Sequence, residues 1–182
     1  MHLAFSQGAP LTPAGPDLRD AAAQAAALLH REGAALDRRD WAAWLDLYEE
    51  DAVFWVPAWR DDGTTTDDPD REISWIYHPS KAGLVERVRR ITSQKSVTAM
   101  PLPRTAHFVS NVVADAAEAG GLQVAATWCV MTVHPRTAEQ HTLFGRYEVR
   151  MTRRPGAPLR IAAKKVVLVN DRVSTLIDVY CL

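Results

Sequence analysis

The stretch from Leu36 to Trp59, LDRRDWAAWLDLYEEDAVFWVPAW, passes from helical spacing to strand spacing within 24 residues and without a linker. Asp40 is placed to cap a helix in which Trp41, Trp44, Leu45 and Tyr48 fall at i, i+3, i+4 and i+7, on one face. Glu49, Glu50 and Asp51 read as its end, and Val53 to Val56, β-branched and aromatic, as the opening of a strand. Four of the six tryptophans lie within 19 residues of one another. Each aromatic that is fully buried contributes roughly 1.5 to 3 kcal/mol by area transfer. A corner this apolar needs a sheet beneath it, so these aromatics are expected to be core and not the lining of a ligand pocket.

The length of 182 residues fits one domain able to bury a core without metals or disulfides. Residues 1–16, with three prolines and two glycines, read as a flexible arm, and 17–182 as the single domain. The longest apolar runs, such as Ala52 to Ala58, are far below the ~20 residues that a membrane span needs. The first twenty residues lack the basic start and long apolar centre of a secretory signal, so a cytoplasmic location is the expectation. A formal charge of −1, with only Arg87, Arg89 and Arg90 clustered, argues against nucleic acid as a partner. Two cysteines, Cys129 and Cys181, suit reduced thiols better than a disulfide framework.

From Asp17 an alanine-rich run places Leu18, Ala22, Ala25, Leu29 and Leu36 at helical steps and predicts a first helix of about five turns. Beyond the corner, WRDDGTTTDDPDRE is a long polar loop. Ile73 to Tyr77 is a short apolar segment, and Ser80 is a natural cap for a third helix with Leu84, Val88 and Ile91 on its buried face and a Glu86 to Arg90 pair. Pro101 and Pro103 then break the chain. Four strands follow: Thr105 to Ala114, Leu122 to His134, Thr142 to Arg153 and Leu159 to Asn170. Lys164 and Lys165 interrupt the alternation of the last one, which suggests a bulge or a curve. Helices followed by antiparallel strands make an α+β fold with the helices packed on one face of a curved, mainly antiparallel sheet, a cone that can enclose a small molecule.

Catalytic motifs are few. Neither cysteine has a histidine two or three positions later, as a Rieske site requires. His134, Glu139 and His141 contain the residue types of a non-haem iron site, yet they ring a hairpin turn and read as solvated. Nucleophile elbows and phosphate-binding glycine loops are missing. A cone can still carry proton-transfer chemistry, for which Tyr48, Asp51 and His107 are the candidates. His107 lies in PRTAHFVSNV, where Thr105, His107, Val109 and Asn111 are expected to share one face, and a hydrogen-bonded structural histidine is its competing role.

The segments DWAAWLDLYEEDAVFWVP, EISWIYHPSKAGLVERVRRI, PRTAHFVSNV, LFGRYEVR and AAKKVVLVNDRVSTLIDVYCL, spread in order from about Asp17 to Leu182, resemble the small (beta) subunit of aromatic-ring-hydroxylating dioxygenases. The similarity is greatest to the benzoate, toluate and anthranilate branch, through Ile76 to Pro79 and Lys164 to Asp171. That resemblance implies a cystatin-like cone and assembly with a catalytic large (alpha) subunit as three large and three small chains. The Rieske 2Fe-2S cluster and mononuclear iron would lie in the large subunit, with none in this chain, and electrons would come through an NADH-dependent reductase. The small chain is then a structural subunit without catalytic residues, in an enzyme that cis-dihydroxylates an aromatic acid. The competing class is a free-standing isomerase or dehydratase using Tyr48, Asp51 and His107. For the first class, the polar N-terminal arm, the loop from Trp59 to Glu72 and the C-terminal segment are candidate contacts, with Trp59, Trp75 and Tyr77 as interface aromatics.

Overall fold

The computed structural model describes residues 16–93, 100–118, 121–154, 156–172 and 177–182. The first fifteen residues, and with them nearly all of the expected arm, lie outside the described set. Helix α1 runs Pro16–Arg38 and α2 runs Trp41–Asp46, followed by strands β1 (Tyr48–Pro57) and β2 (Ser74–His78) and helix α3 (Lys81–Thr92). Strands β3 (Arg104–Ala116), β4 (Leu122–Val133), β5 (Gln140–Thr152) and β6 (Arg160–Leu168) complete the sheet, and a short 3-10 turn occupies Val179–Cys181. The sheet order is β2-β1-β6-β5-β4-β3. Every pairing is antiparallel except that of β1 with β6.

The corner behaves as expected at its start and differs at its end. Asp40 caps α2, its Oδ1 accepting from the Ala43 N–H at 3.1 Å. The helix stops at Asp46, however, and Tyr48 to Asp51 belong to β1. Tyr48 pairs with Ile161 of β6, and the ladder shifts register before Val53 pairs with Ala163. Pairing with a strand over a hundred residues away outweighs the local helical spacing. The aromatic face survives the change, because the Trp44 and Tyr48 rings meet edge to face at 5.4 Å.

Residues of β4 and β5 alternate as the sequence predicts. Val124, Ala126, Trp128 and Val130 are buried on one strand, and Leu143, Tyr147, Val149 and Met151 on the next. Trp128 and Tyr147 stack at 5.3 Å. Gly145 completes this inward row because nothing larger fits: a Cβ there would lie 1.9 Å from the Val167 carbonyl oxygen. In β6 the expected irregularity at Lys164 and Lys165 falls two residues earlier. Ala162 is the extra residue, between Ile161 paired with Met151 and Ala163 paired with Arg150. The two lysines sit in regular ladder positions, and alternation fails there because β6 is buried on both faces.

Ser80 occupies the cap position of α3 without a side-chain capping bond. Its expected Glu86 to Arg90 pair forms at 3.3 Å. The long polar loop between β1 and β2 is organised on Arg60. The guanidinium donates to Glu72 at 2.6 to 2.9 Å and to the Thr65 carbonyl at 2.6 Å, while Glu72 accepts from the Asp67 and Asp68 N–H groups. These contacts hold the Glu72 carboxyl well below its ordinary range, at about 2. No helix among the described residues is long and apolar enough to cross a membrane.

Candidate functional site

The inner face of the cone is built by the inward rows of the sheet with α1, which packs most closely on β3. Along α1, Ala25, Leu28, Leu29, Glu32 and Leu36 follow helical steps and are all buried. Glu32 is therefore an acid on a core-facing stripe, 2 % exposed. Opposite it, Lys164 projects inward from β6 and is 1 % exposed. Its Nζ donates to both Glu32 oxygens at 2.8 Å and sits 3.9 Å from the Tyr147 ring centroid. The Tyr48 hydroxyl donates a short hydrogen bond to the same carboxylate. Burial, with the Glu32 charge second, pushes the Tyr48 phenol far above its ordinary range, and burial alone lowers the Lys164 ammonium.

This cluster closes on itself. A carboxylate already holding an ammonium and a phenol has little left to offer a substrate, and a phenol with so high a pKa does not give up its proton near neutrality. Signals for it stood in the sequence as two opposite charges at core-facing positions, Glu32 on a helical stripe and Lys164 on an inward strand position. Sequence reasoning passed over Glu32 and treated Lys164 as a break in pattern.

His107 forms a second, separate unit. Its Nδ1 lies 2.6 Å from Asp37 Oδ1, its backbone N–H donates to Asp37 Oδ2 at 3.1 Å, and Thr105 donates to the same carboxylate at 2.8 Å. Burial opposes ionisation of Asp37, but these three donors outweigh it and hold the carboxyl below its ordinary value. Gly33 lets α1 approach, since a Cβ there would stand 2.8 Å from the His107 Cβ. Nε2 is buried with no partner among the described residues. A proton on Nδ1 leaves Nε2 as a bare acceptor, the cheaper orphan of the two tautomers. The histidine thus pins α1 to β3.

Of the three residues proposed for cavity chemistry, Tyr48 and His107 face the interior in different hydrogen-bonded units, and Asp51 is exposed on β1. The reason is the early end of α2, which puts Asp51 within the bulged opening of the strand. Asn111 also departs from expectation. The β3 ladder slips between Ser110 and Val113, Asn111 takes a positive φ of 52°, and its amide donates outward to Thr127. At the β4–β5 turn His134 Nδ1 accepts from the Thr137 N–H, while His141 pairs with Glu139 at 3.3 Å. Among the described residues no three His, Cys, Asp or Glu side chains stand together as a metal site.

Trp59, Trp75 and Tyr77 do not converge on one place. Trp59 is half-buried and its indole donates to the Leu168 carbonyl at 2.6 Å. Trp75 and Tyr77 line an open cleft of about 290 Å³ with Ile76, His78, Arg87, Ile177 and Val179. Arg87 is held there by Asp178, which is 3 % exposed, through bonds of 2.7 and 2.5 Å. Burial, then the Arg87 charge, lowers the His78 imidazole below its ordinary value. Cys181 lies behind this wall, its thiol pushed by burial up to about 12. Both cysteines are free, Cys129 half-buried on β4 and Cys181 buried.

A six-stranded sheet wrapped over a long helix, with the Glu32–Lys164 pair buried in its interior, is an α+β cone. Residues 31–175 match the family model described as the ring hydroxylating beta subunit, and the chain belongs to that family. It is 36% identical over 159 residues to benzoate 1,2-dioxygenase subunit beta of Acinetobacter baylyi, covering 86% of this chain and 91% of that one. The solved beta subunit of benzoate 1,2-dioxygenase from Burkholderia mallei is 36% identical and superposes with a TM-score of 0.72 over 88% of this chain and 96% of that one. A Novosphingobium aromaticivorans chain named for scytalone dehydratase, 10% identical, superposes with a TM-score of 0.63 over 84% and 86% of the two chains and shows the shared cone fold alone.

Proposed function

We propose that this chain is a structural subunit, without catalytic residues of its own, of a terminal oxygenase that cis-dihydroxylates a benzoate-like aromatic acid with O2 and NADH. The observation that carries the reading is the Glu32–Lys164–Tyr48 cluster, which occupies the interior where a cone enzyme needs an open acid or base. The names of the relatives support the substrate class. In this reading the large subunit holds the Rieske cluster and mononuclear iron, and the assembly contains three chains of each kind. An NADH-dependent reductase supplies electrons, and the whole works in the cytoplasm. The domain spans 17–182. Trp75 and Tyr77, beside the cleft walled by Arg87, contact the large subunit, and Trp59 serves the interface indirectly by fixing its loop to β6.

The test is co-expression of this chain with a large subunit of the benzoate-type family, followed by size, iron content and benzoate-dependent NADH oxidation with reductase. Activity confined to the iron-containing two-chain complex is the expected result. A small chain that never joins the complex, or that turns over substrate alone and loses turnover in His107→Ala, overturns the reading.

A further inference from the structure

Strand β2 ends the sheet, and the open cleft of about 290 Å³ runs along it. Side chains alternate along a strand, so Trp75 and Tyr77 border the cleft from one face of β2 and Ile76 and His78 from the other. Arg87 of α3, with Ile177 and Val179 of the C-terminal segment, completes the lining. Pockets for organic ligands begin at about 300 Å³, so this volume suits a single ring.

Two polar groups in the lining keep hydrogen-bonding capacity in reserve. Arg87 gives its Nε and Nη2 to Asp178, at 2.7 and 2.5 Å, and its Nη1 has no partner among the described residues. His78 is half-buried, and neither of its ring nitrogens is hydrogen-bonded among those residues. The ring is fixed beneath the first turn of α3, where a Cβ on Gly83 would stand 2.6 Å from Nδ1. Burial and the Arg87 charge favour the neutral imidazole, which has one bare nitrogen, whereas a guanidinium can only donate. A donor-only edge and an open acceptor in one cleft call for a group that accepts from the first and donates to the second. A hydroxyl does both.

Charge decides between a hydroxyl and a carboxylate. The Arg87 cation is already balanced by Asp178, whose side chain is 3% exposed. After burial, the charges of Asp70 and Asp68 raise the Tyr77 phenol, so carboxylates of the β1–β2 loop also act on this cleft. An anionic ligand would give up hydration here without meeting an uncompensated cation, a cost that a neutral ligand avoids.

We propose that this cleft binds a neutral, single-ring phenol or aromatic alcohol, its hydroxyl set between His78 and Arg87 and its ring against Ile177 and the aromatic side chains of β2. The inference goes beyond the structural role and does not need the large subunit. Trp75, 47% exposed, has surface for this wall as well as for the subunit contact.

The experiment titrates the isotope-labelled full chain at neutral pH with phenol, toluene and benzoate in turn, followed by the amide and histidine-ring resonances. Phenol is expected to shift the His78 ring and the amides of β2, the start of α3 and Ile177 saturably. Toluene and benzoate are expected to bind roughly tenfold more weakly, the loss of two neutral hydrogen bonds. In His78→Phe, which keeps a ring and removes the acceptor, phenol is expected to fall to the level of toluene. Ile177→Trp, which fills the cleft from a half-buried position, is expected to abolish binding of all three probes and stands in should His78→Phe fail to fold. Toluene or benzoate binding as tightly as phenol overturns the proposal, as do phenol shifts confined to other parts of the chain, or wild-type phenol affinity in a folded variant. A chain that binds phenol here yet joins no large subunit keeps this inference and removes the proposed function; one that assembles and ignores phenol does the reverse.

Discussion

Replacing Lys164 with methionine removes one half of the buried pair and leaves the other in place. Glu32, 2 % exposed, then keeps only the Tyr48 hydroxyl as partner for a carboxylate inside the cone. Breaking a buried pair on one side costs about 3 to 5 kcal/mol, because the remaining charge loses its compensation while still paying its desolvation. In urea, with a slope of about 2 kcal/mol/M, that is a drop of roughly 2 M in midpoint. In heat it is a drop of roughly 6 to 20 °C for a chain of this size. The informative comparison is the triple variant Lys164→Met/Glu32→Met/Tyr48→Phe, which removes the cation, its anion and the phenol that donates to it. Apolar replacement of a whole buried network is expected to return stability to within about 1 kcal/mol of the wild type or above it. Urea melts by circular dichroism and tryptophan fluorescence at one fixed protein concentration measure both. A single variant that loses less than about 1 kcal/mol, or a triple variant as unstable as the single, would refute the account of this cluster as a compensated charge pair.

Gly145→Ala is expected to lose about 3 kcal/mol or more, since its Cβ would meet the Val167 carbonyl oxygen at 1.9 Å, and thermal melting together with hydrogen exchange in β5 and β6 checks it. His107→Ala is expected to lower stability by about 1 to 2 kcal/mol while leaving the turnover of the assembled oxygenase intact, read by urea melts and NADH oxidation. Asp37 has a folded pKa below its unfolded one, so its contribution is complete above the unfolded value of 3.8 and is lost as pH falls through the folded value; in Asp37→Asn that segment of the stability–pH curve flattens. The Glu72 carboxyl resonance should titrate near 2 rather than 4.5, and protection of the Asp67 and Asp68 amides should disappear with it as pH falls.

Local patterns carried a good share of the fold. Strands β3, β4 and β5 and the third helix declare themselves by period, since each has one wet and one dry face, whereas β6, buried on both faces, shows as a short apolar run. The end of α2 was not legible, because what halts it at Asp46 is the pairing of Tyr48 with Ile161, a contact absent from any local window. The same limit hid the pairing of Glu32 with Lys164: each stands at a core-facing position of its own element, but only the fold brings the two within 2.8 Å. Asn111 was misplaced because a single-residue slip in β3 reverses the face of whatever follows it. For Trp59, Trp75 and Tyr77 residue type was informative and grouping was not, as β2 carries two of them to the cleft while the loop turns the first onto β6.

The parallel pairing of β1 with β6 has a consequence for the order in which this protein can be made. Strands β1 and β2 form a hairpin early in the chain, and β3, β4 and β5 form a meander later, but in the sheet only β6 joins the two. Until β6 is available, β1 and β5 are both open edges, each with a row of unpaired peptide groups. Non-local closure of this kind is slow relative to hairpin formation and leaves a growing chain exposed to wrong partners. The last strand works as a keystone: the two halves can be shaped in advance, but neither is locked until it is set between them.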